Sequence, residues 1–344
     1  MNDAQSVVLS GMRPTGKLHI GHVEGVLTEW TRLQQHTNAY FFVADWHAMT
    51  TNTDTSELKR NTLAMVKDWI AAGVDPARAT IFAQSAVPEH AELHVALSNL
   101  VNLGRLERLP TFHEYMRQIV HADGVDTLAY DAAKRANVSH GFLGYPVLQS
   151  ADILLYKTTH VPIGEDQVPH LELTRELARR FNSLYGETFP VPEAVLGPNP
   201  RILGFDGRKM SKSYGNVIEP TDEPAVLQRN VAQMTTDPAK TRRNDRGDPS
   251  VCSAYDLHEI YARDASSIAD ECRAGARGCV DCKRELAQSM AAWYEPFRER
   301  RASITDDDVR DILGNGNTQA RVVARETMDE VKHALGIDYL VKTP

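Results

Sequence analysis

Ser10-Gly11-Met12-Arg13-Pro14-Thr15-Gly16-Lys17-Leu18-His19-Ile20-Gly21-His22 comes directly after Val7-Val8-Leu9, an apolar run that reads as a strand. It leads into a stretch whose apolar residues Val23, Val26, Leu27, Trp30 and Leu33 share one helical face. The alternation continues downstream. Tyr40-Phe41-Phe42-Val43-Ala44 reads as a second, buried strand, and a helix around Leu63, Val66, Trp69 and Ile70 ends at Gly73. Thr80-Ile81-Phe82 and Val161-Pro162-Ile163 read as further strands, the latter leading into a helix carrying Leu173, Leu177, Phe181 and Leu184. Continuous apolar strands alternating with helices predict a parallel sheet covered by helices.

Ligands of such sheets bind beyond the carboxyl ends of the strands, where the loop after Leu9 lies. Gly11 and Gly16 are expected to take backbone conformations closed to other residues. His19 and His22, three apart, share a face at the first helical turn, where amides and dipole favour anions. Gly21 leaves room for a flat base. Two histidines capping a helix would give the same pattern. The loop is not a Walker A sequence and holds no G-x-G-x-x-G, so the P-loop and dinucleotide readings are excluded. A second candidate is Lys209-Met210-Ser211-Lys212-Ser213, after Gly204-Phe205-Asp206-Gly207-Arg208. Two lysines three apart on such a loop reach the same phosphates and suit a leaving pyrophosphate, whose charge develops in the transition state.

The 344 residues suffice for about two domains of ordinary size. Past Glu219 the periodicity is mostly helical, with the longest helix expected from Gln319 to Leu335 and a boundary near residue 215. Gly197-Pro198-Asn199-Pro200 and Pro220 to Pro224 separate the halves. The formal net charge of -8 argues against nucleic-acid binding through bulk positive charge, but a basic run at Lys240, Arg242, Arg243 and Arg246 could act locally. Met1 to Gln5 lack the pattern of a secretion signal, and no apolar run approaches the ~20 residues that span a bilayer, so a soluble cytoplasmic protein without membrane partners is expected.

The helix after Gly144 bears on the substrate. Pro146 is expected at its first position. Tyr145, Gln149, Asp152 and Tyr156 form one polar stripe amid Val147, Leu148, Ala151, Ile153, Leu154 and Leu155. An aspartate on a mostly apolar helix is costly unless something donates to it. An indole N–H is a donor only, and a site built to accept it would reject analogues lacking it. Pairing with a neighbouring Arg or Lys is the alternative.

His19-Ile20-Gly21-His22 and Lys209 to Ser213 match the HIGH and KMSKS signatures of class I aminoacyl-tRNA synthetases. The Tyr145 to Tyr156 helix and Val161 to Gln167 resemble the bacterial tryptophanyl members of that class. The resemblance implies an α/β fold: a Rossmann-like parallel-sheet catalytic domain over 1–214, then an all-helical anticodon-binding domain over 215–344. It implies catalytic roles for His19, His22, Lys209 and Lys212. ATP would meet Arg13, Pro14, Thr15, Gly21, His22, Gly164, Glu165, Asp166, Ile202, Lys209, Met210, Ser211, Lys212 and Ser213. Tryptophan would meet His47, Tyr145, Gln149, Asp152, Val161, Ile163 and Gln167, with Asp152 accepting from the indole. Gln149 stands where relatives often carry Met, and Arg13 where many carry Gln. A further basic residue is expected from Lys134 or Arg135. Partners implied are L-tryptophan, ATP with Mg2+, tRNA(Trp) and a second copy in a homodimer.

The four cysteines, Cys252, Cys272, Cys279 and Cys282, are spaced C-x19-C-x6-C-x2-C and confined to the last third of the chain. Four thiolates can hold zinc or an iron–sulfur cluster. The C-x6-C-x2-C part resembles a subset of tryptophanyl-tRNA synthetases with a 4Fe–4S cluster, structural Zn2+ being the alternative. Gly275, Arg277 and Gly278 read as a flexible wrap around the metal.

Overall fold

The computed structural model describes residues 6–51, 53–123, 138–196, 202–208, 210 and 214–339. Its first half runs β1 (Val7–Met12), α1 (Ile20–His22), a π-helical turn (Val23–Leu27), α2 (Thr28–Leu33), β2 (Asn38–Val43), α3 (Asp45–Met49), α4 (Leu58–Ala72), β3 (Ala79–Ala83) and α5 (Glu89–Ser98). Then come α6 (Leu103–Glu107), α7 (Pro110–Asp123), α8 (His140–Leu155), β4 (His160–Pro162), α9 (Val168–Tyr185) and β5 (Glu193–Val195). The remainder is helical: α10 (Pro224–Ala232), α11 (Ser253–Tyr261), α12 (Ala265–Ala274), α13 (Cys279–Trp293), α14 (Glu295–Ser303) and α15 (Asp306–Ala334).

The strands form one parallel sheet in the order β3-β2-β1-β4-β5. Alternate residues of a strand face opposite ways. Val8, Phe41 and Ile81 therefore enter one apolar layer, and Leu9, Tyr40, Phe42 and Phe82 the other. Both faces are covered, which is why the strands read as unbroken apolar runs. The helical remainder is continuous in packing with the sheet region. The layer beneath Val8 and Trp69 also holds Leu227, Leu257 and Met290 from the helical part.

Three local expectations are corrected. Pro146 is not the first residue of its helix: α8 starts six residues before it, where Ser139 accepts from the Phe142 amide, and Pro146 lies inside it. The helix expected from Gln319 begins instead at Asp306, capped by Thr305 and Asp308. Gly314, Asn315, Gly316 and Asn317 have the composition of a breaker, but α15 needs them against β3. A Cβ at Gly316 would overlap the Ile81 carbonyl oxygen, and Asn317 Oδ1 accepts from the Ala83 amide at 2.9 Å. Gly16 has the expected left-handed backbone, φ 112°, whereas Gly11 is required by space, because a Cβ there would overlap the Phe42 ring.

Candidate active site

The strand order reverses between β1 and β4, and the crevice beyond their carboxyl ends is where open α/β sheets bind ligands. Arg13, Pro14 and Thr15 leave the end of β1, and Gly164, Glu165 and Asp166 leave the end of β4. The expected nucleotide contacts therefore come from both walls of one crevice. His47 lies just past β2 and Gln84 just past β3, extending the same rim. A separate cleft of about 520 Å³, lined by Pro76, Ala79, Ile312 and Gly316, lies toward the opposite ends of the strands.

The histidines of the signature turn stand 3.8 Å apart between ring centroids. His22 Nδ1 accepts from the His19 amide at 3.3 Å, so the turn is held partly by its own imidazoles. The Ile20 amide donates to Ile218 O at 2.9 Å, and the His22 amide to His19 O. These amides are spent inside the protein, which moves the anion-binding task from the helix end toward the side chains. Lys17 pairs with Glu219 at 2.8 Å.

Lys209, Ser211, Lys212 and Ser213 lie outside the described residues, as do Lys134 and Arg135. The base of the Lys209–Ser213 segment is described. Gly204 N donates to Arg208 O, Asn216 Nδ2 to Asp206 Oδ1 at 2.7 Å, and Arg208 pairs with Asp206. The Asn216 bond first, then the bonds and charge of Arg208, outweigh burial and hold the Asp206 carboxyl down at about 2. Ile202 and Met210 are buried in the apolar layer on the signature side. Ile218 and Glu219, a few residues past the Lys209–Ser213 segment, hold Ile20 of the His19–His22 turn and Lys17 just before it.

Asp152 is 1% exposed, and its carboxylate is the focus of a polar cluster on α8. His47 Nε2 lies 2.7 Å from Oδ2; His90 Nδ1 at 2.7 Å and Gln84 Nε2 at 2.8 Å meet Oδ1. Burial would push this carboxyl up, but the bonds and charges of His47 and His90 outweigh it and hold it far below the ordinary range. No Arg or Lys is its partner among the described residues. A carboxylate has about four acceptor positions, and these three donors take three of them, leaving one on Oδ2 beside His47. His90 Nε2 meets the Tyr156 hydroxyl, which can donate or accept, at 2.9 Å, so both ring nitrogens are engaged. The sequence pattern singles out neither Gln84 nor His90. Gln84 has a legible signal in its place at the end of the third strand, matching that of His47 just past the second; a lone buried histidine such as His90 has none.

Tyr145 and Gln167 are joined through His170: the Tyr145 hydroxyl lies 3.1 Å from Nε2 and Gln167 Oε1 lies 3.0 Å from Nδ1. Burial pushes the Tyr145 phenol up, with a bond to Thr111 and the charge of Arg13 acting the other way. Gln149 and Ile163 are half-buried, whereas Val161 is buried in the apolar layer with Leu9 and Leu171. Burial lowers the His170 pKa to about 4. A histidine kept neutral by folding takes its proton more readily when unfolded, so its stabilising share is complete above about pH 6.5 and fades as pH falls toward 4. Thermal melts between pH 7 and 5 should therefore show a steeper loss for the wild type than for His170→Asn.

Residues 1–295 match the family described as class I tRNA synthetases (W and Y). The chain belongs to that family. It is 45% identical over 337 residues to a tryptophan–tRNA ligase of Thermotoga maritima, covering 96% of this chain and 99% of that one. It is 39% identical to the enzyme of the same name from Aquifex aeolicus, over 96% and 99%. Among solved structures, the tryptophanyl-tRNA synthetase of Campylobacter jejuni complexed with ADP and tryptophan aligns with TM-score 0.82 and 31% identity, covering 96% of this chain and 99% of that chain. The class I frame accounts for the His19–His22 turn beyond the carboxyl end of β1.

All four cysteines lie in the helical part and are free. Cys252 caps α11, while Cys279 and Cys282 lie in the first turn of α13. Burial pushes the thiols of Cys252, Cys272 and Cys282 up, the last to about 11, and charge on the neighbouring cysteines pushes the same way. Among the described residues no three His, Cys, Asp or Glu side chains are arranged to hold a metal ion. The wrap is less loose than its glycines imply, because Arg277 is bound to Glu271 at 2.7 Å and Glu285 at 2.5 Å. Within the basic run, Lys240 is buried and donates to the carbonyls of Arg243 and Asp245, so it supports the loop rather than presenting charge. Among the described residues no helix is long and apolar enough to cross a membrane.

Proposed function

We propose that this chain activates L-tryptophan with ATP and then transfers it to tRNA(Trp). The observation that carries this reading is the Asp152 carboxylate, buried, anionic and with an acceptor position on Oδ2, at the rim of a class I nucleotide crevice. A tryptophan carboxylate oxygen attacks the α-phosphorus of ATP, and pyrophosphate leaves. A terminal ribose hydroxyl of the tRNA then attacks the acyl carbon, and AMP leaves. No side chain forms a covalent bond; orientation and charge stabilisation carry the rate. Asp152 takes the indole N–H, Tyr145, Gln149, Ile163 and Gln167 surround the amino acid, and Val161 supports the wall from the core side. Arg13, Pro14, Thr15, Gly21, Gly164, Glu165, Asp166 and Ile202 frame the nucleotide. His19, His22, Lys209 and Lys212, with Met210, Ser211 and Ser213, act on the phosphates, and magnesium arrives with the ATP. Residues 1–214 serve catalysis and 215–344 meet the anticodon. We assign a homodimer, as the family resemblance implies.

The reading is tested by amino-acid-dependent exchange of pyrophosphate into ATP, and then by charging of total tRNA. Tryptophan alone should support both. A signal with tyrosine alone would contradict the assignment.

The four cysteines offer the donor chemistry of a tetrathiolate group, and their C-x19-C-x6-C-x2-C spacing supports that reading, although among the described residues no three metal-ligating side chains are arranged around one point. We assign a 4Fe–4S cluster to them, with structural Zn2+ as the competitor. Bound there, the group would clamp the starts of α11 and α13 together. Anaerobic purification should return about four irons and four acid-labile sulfides per chain, as one Cys₄-held cluster requires. Zinc without sulfide would make it an ordinary structural metal site.

A further inference from the structure

The signature turn runs straight into a π-helical turn, Val23–Leu27, in which the Thr28 amide reaches back to Val23 O. Such turns cost more than regular helix and are often found at functional sites. The second residue of this one, Glu24, leaves its own neighbourhood. Tyr294 donates to Glu24 Oε1 at 2.7 Å across 270 residues of sequence. The Tyr261 hydroxyl stands 3.3 Å from the same oxygen and 2.8 Å from the Tyr294 oxygen, so its single proton is shared between them. Both phenols are nearly inaccessible, at 5% and 2% exposure. Packing alone does not call for this arrangement, because a carboxylate set against two buried hydroxyls is costly unless they bond to it.

The placement of the tyrosines gives the contact its meaning. Tyr261 ends α11 and Tyr294 closes α13. These are the two helices whose opposite ends begin at Cys252 and at Cys279. Glu24 is two residues beyond His22, so any shift of α11 and α13 reaches the signature histidines through one short turn.

We propose that Glu24 is a positioning residue that, through Tyr261 and Tyr294, sets the signature turn against the helical region, so that adenylate formation depends on where α11 and α13 sit. The inference rests on the activation reaction above, and exchange by the wild type tests that reading separately. Glu24→Gln, Tyr294→Phe and the double variant should be compared in tryptophan-dependent pyrophosphate exchange, with melting temperatures measured alongside. Misplacement of reacting groups by a fraction of an ångström to one ångström costs about 10- to 100-fold in rate, so kcat should fall by about tenfold in either single variant. The KM for tryptophan should stay near that of the wild type, because that pocket stands on α8. The double variant should lose little more than the singles, as expected for groups acting as one unit. If kcat in both single variants stays within about twofold of wild type, or the losses add and track the melting temperature alone, the contact is only structural and the proposal fails.

Discussion

Asp152→Asn should lower kcat/KM for tryptophan in pyrophosphate exchange by about 100- to 1000-fold while the protein stays folded. The change removes the charge and turns one oxygen into an N–H group facing His47, or His90 and Gln84, all of which donate to this carboxylate. Charged hydrogen bonds are worth about 1.5–3 kcal/mol each, and every 1.4 kcal/mol is tenfold. Loss of the indole contact together with loosening of its support accounts for the lower end, and misorientation of the bound amino acid for the rest. The fold survives because both imidazoles can change tautomer: His90 can accept at Nδ1 and donate from Nε2 to Tyr156. Asp152→Ala differs in kind, since it leaves Gln84 and two histidines without the carboxylate in an apolar layer. A decrease of less than about threefold for the Asn variant would mean that the carboxylate does not read the amino acid.

Gly316→Ala should be the most damaging single methyl in the helical part. The added Cβ would overlap the Ile81 carbonyl, which is backbone and cannot rotate away. α15 must then lift from β3, straining the bond from the Ala83 amide to Asn317. Overpacking of this kind costs about 1–3 kcal/mol and sometimes more. At roughly 2 °C per kcal/mol for a chain of this size, the melting temperature should drop by about 2–6 °C. Gly314→Ala serves as the control: it lies on the same helix, nothing stands within 4 Å of its Cβ position, and its melting temperature should hold or rise.

Those two glycines mark the limit of what patterning reveals. The sheet is legible because its strands are buried on both faces, so Tyr40 to Ala44 and Thr80 to Phe82 stand out as apolar runs. The start of α15 is not, because Gly314-Asn315-Gly316-Asn317 has the composition of a loop. The reason for Gly316 is the carbonyl of a residue 235 positions before it in the sequence. The π-turn is hidden for a related reason: Val23, Val26, Leu27 and Trp30 satisfy ordinary helical spacing equally well. At the site, Asp152 is legible because a charge on an apolar helix demands a partner, and His47 through the family resemblance. That the partners are two imidazoles and an amide, rather than Arg or Lys, depends on where β3 and α5 deliver Gln84 and His90. Pro146 misleads for a simpler reason. Proline usually opens helices, and only the Ser139 cap shows that this one has already begun.

The central claim is that the carboxylate of Asp152 selects the amino acid by its ring N–H. It is tested most directly by comparing tryptophan with an analogue in which sulfur replaces the indole nitrogen, so that ring size is kept and the donor is lost. A site built to accept a hydrogen bond rejects such an analogue by about 10⁴-fold in kcat/KM for activation, and at least 100-fold is expected of the wild-type protein. Equal activation of the two amino acids would contradict the account, and Asp152 would then be a structural charge beside the pocket rather than the group that reads it.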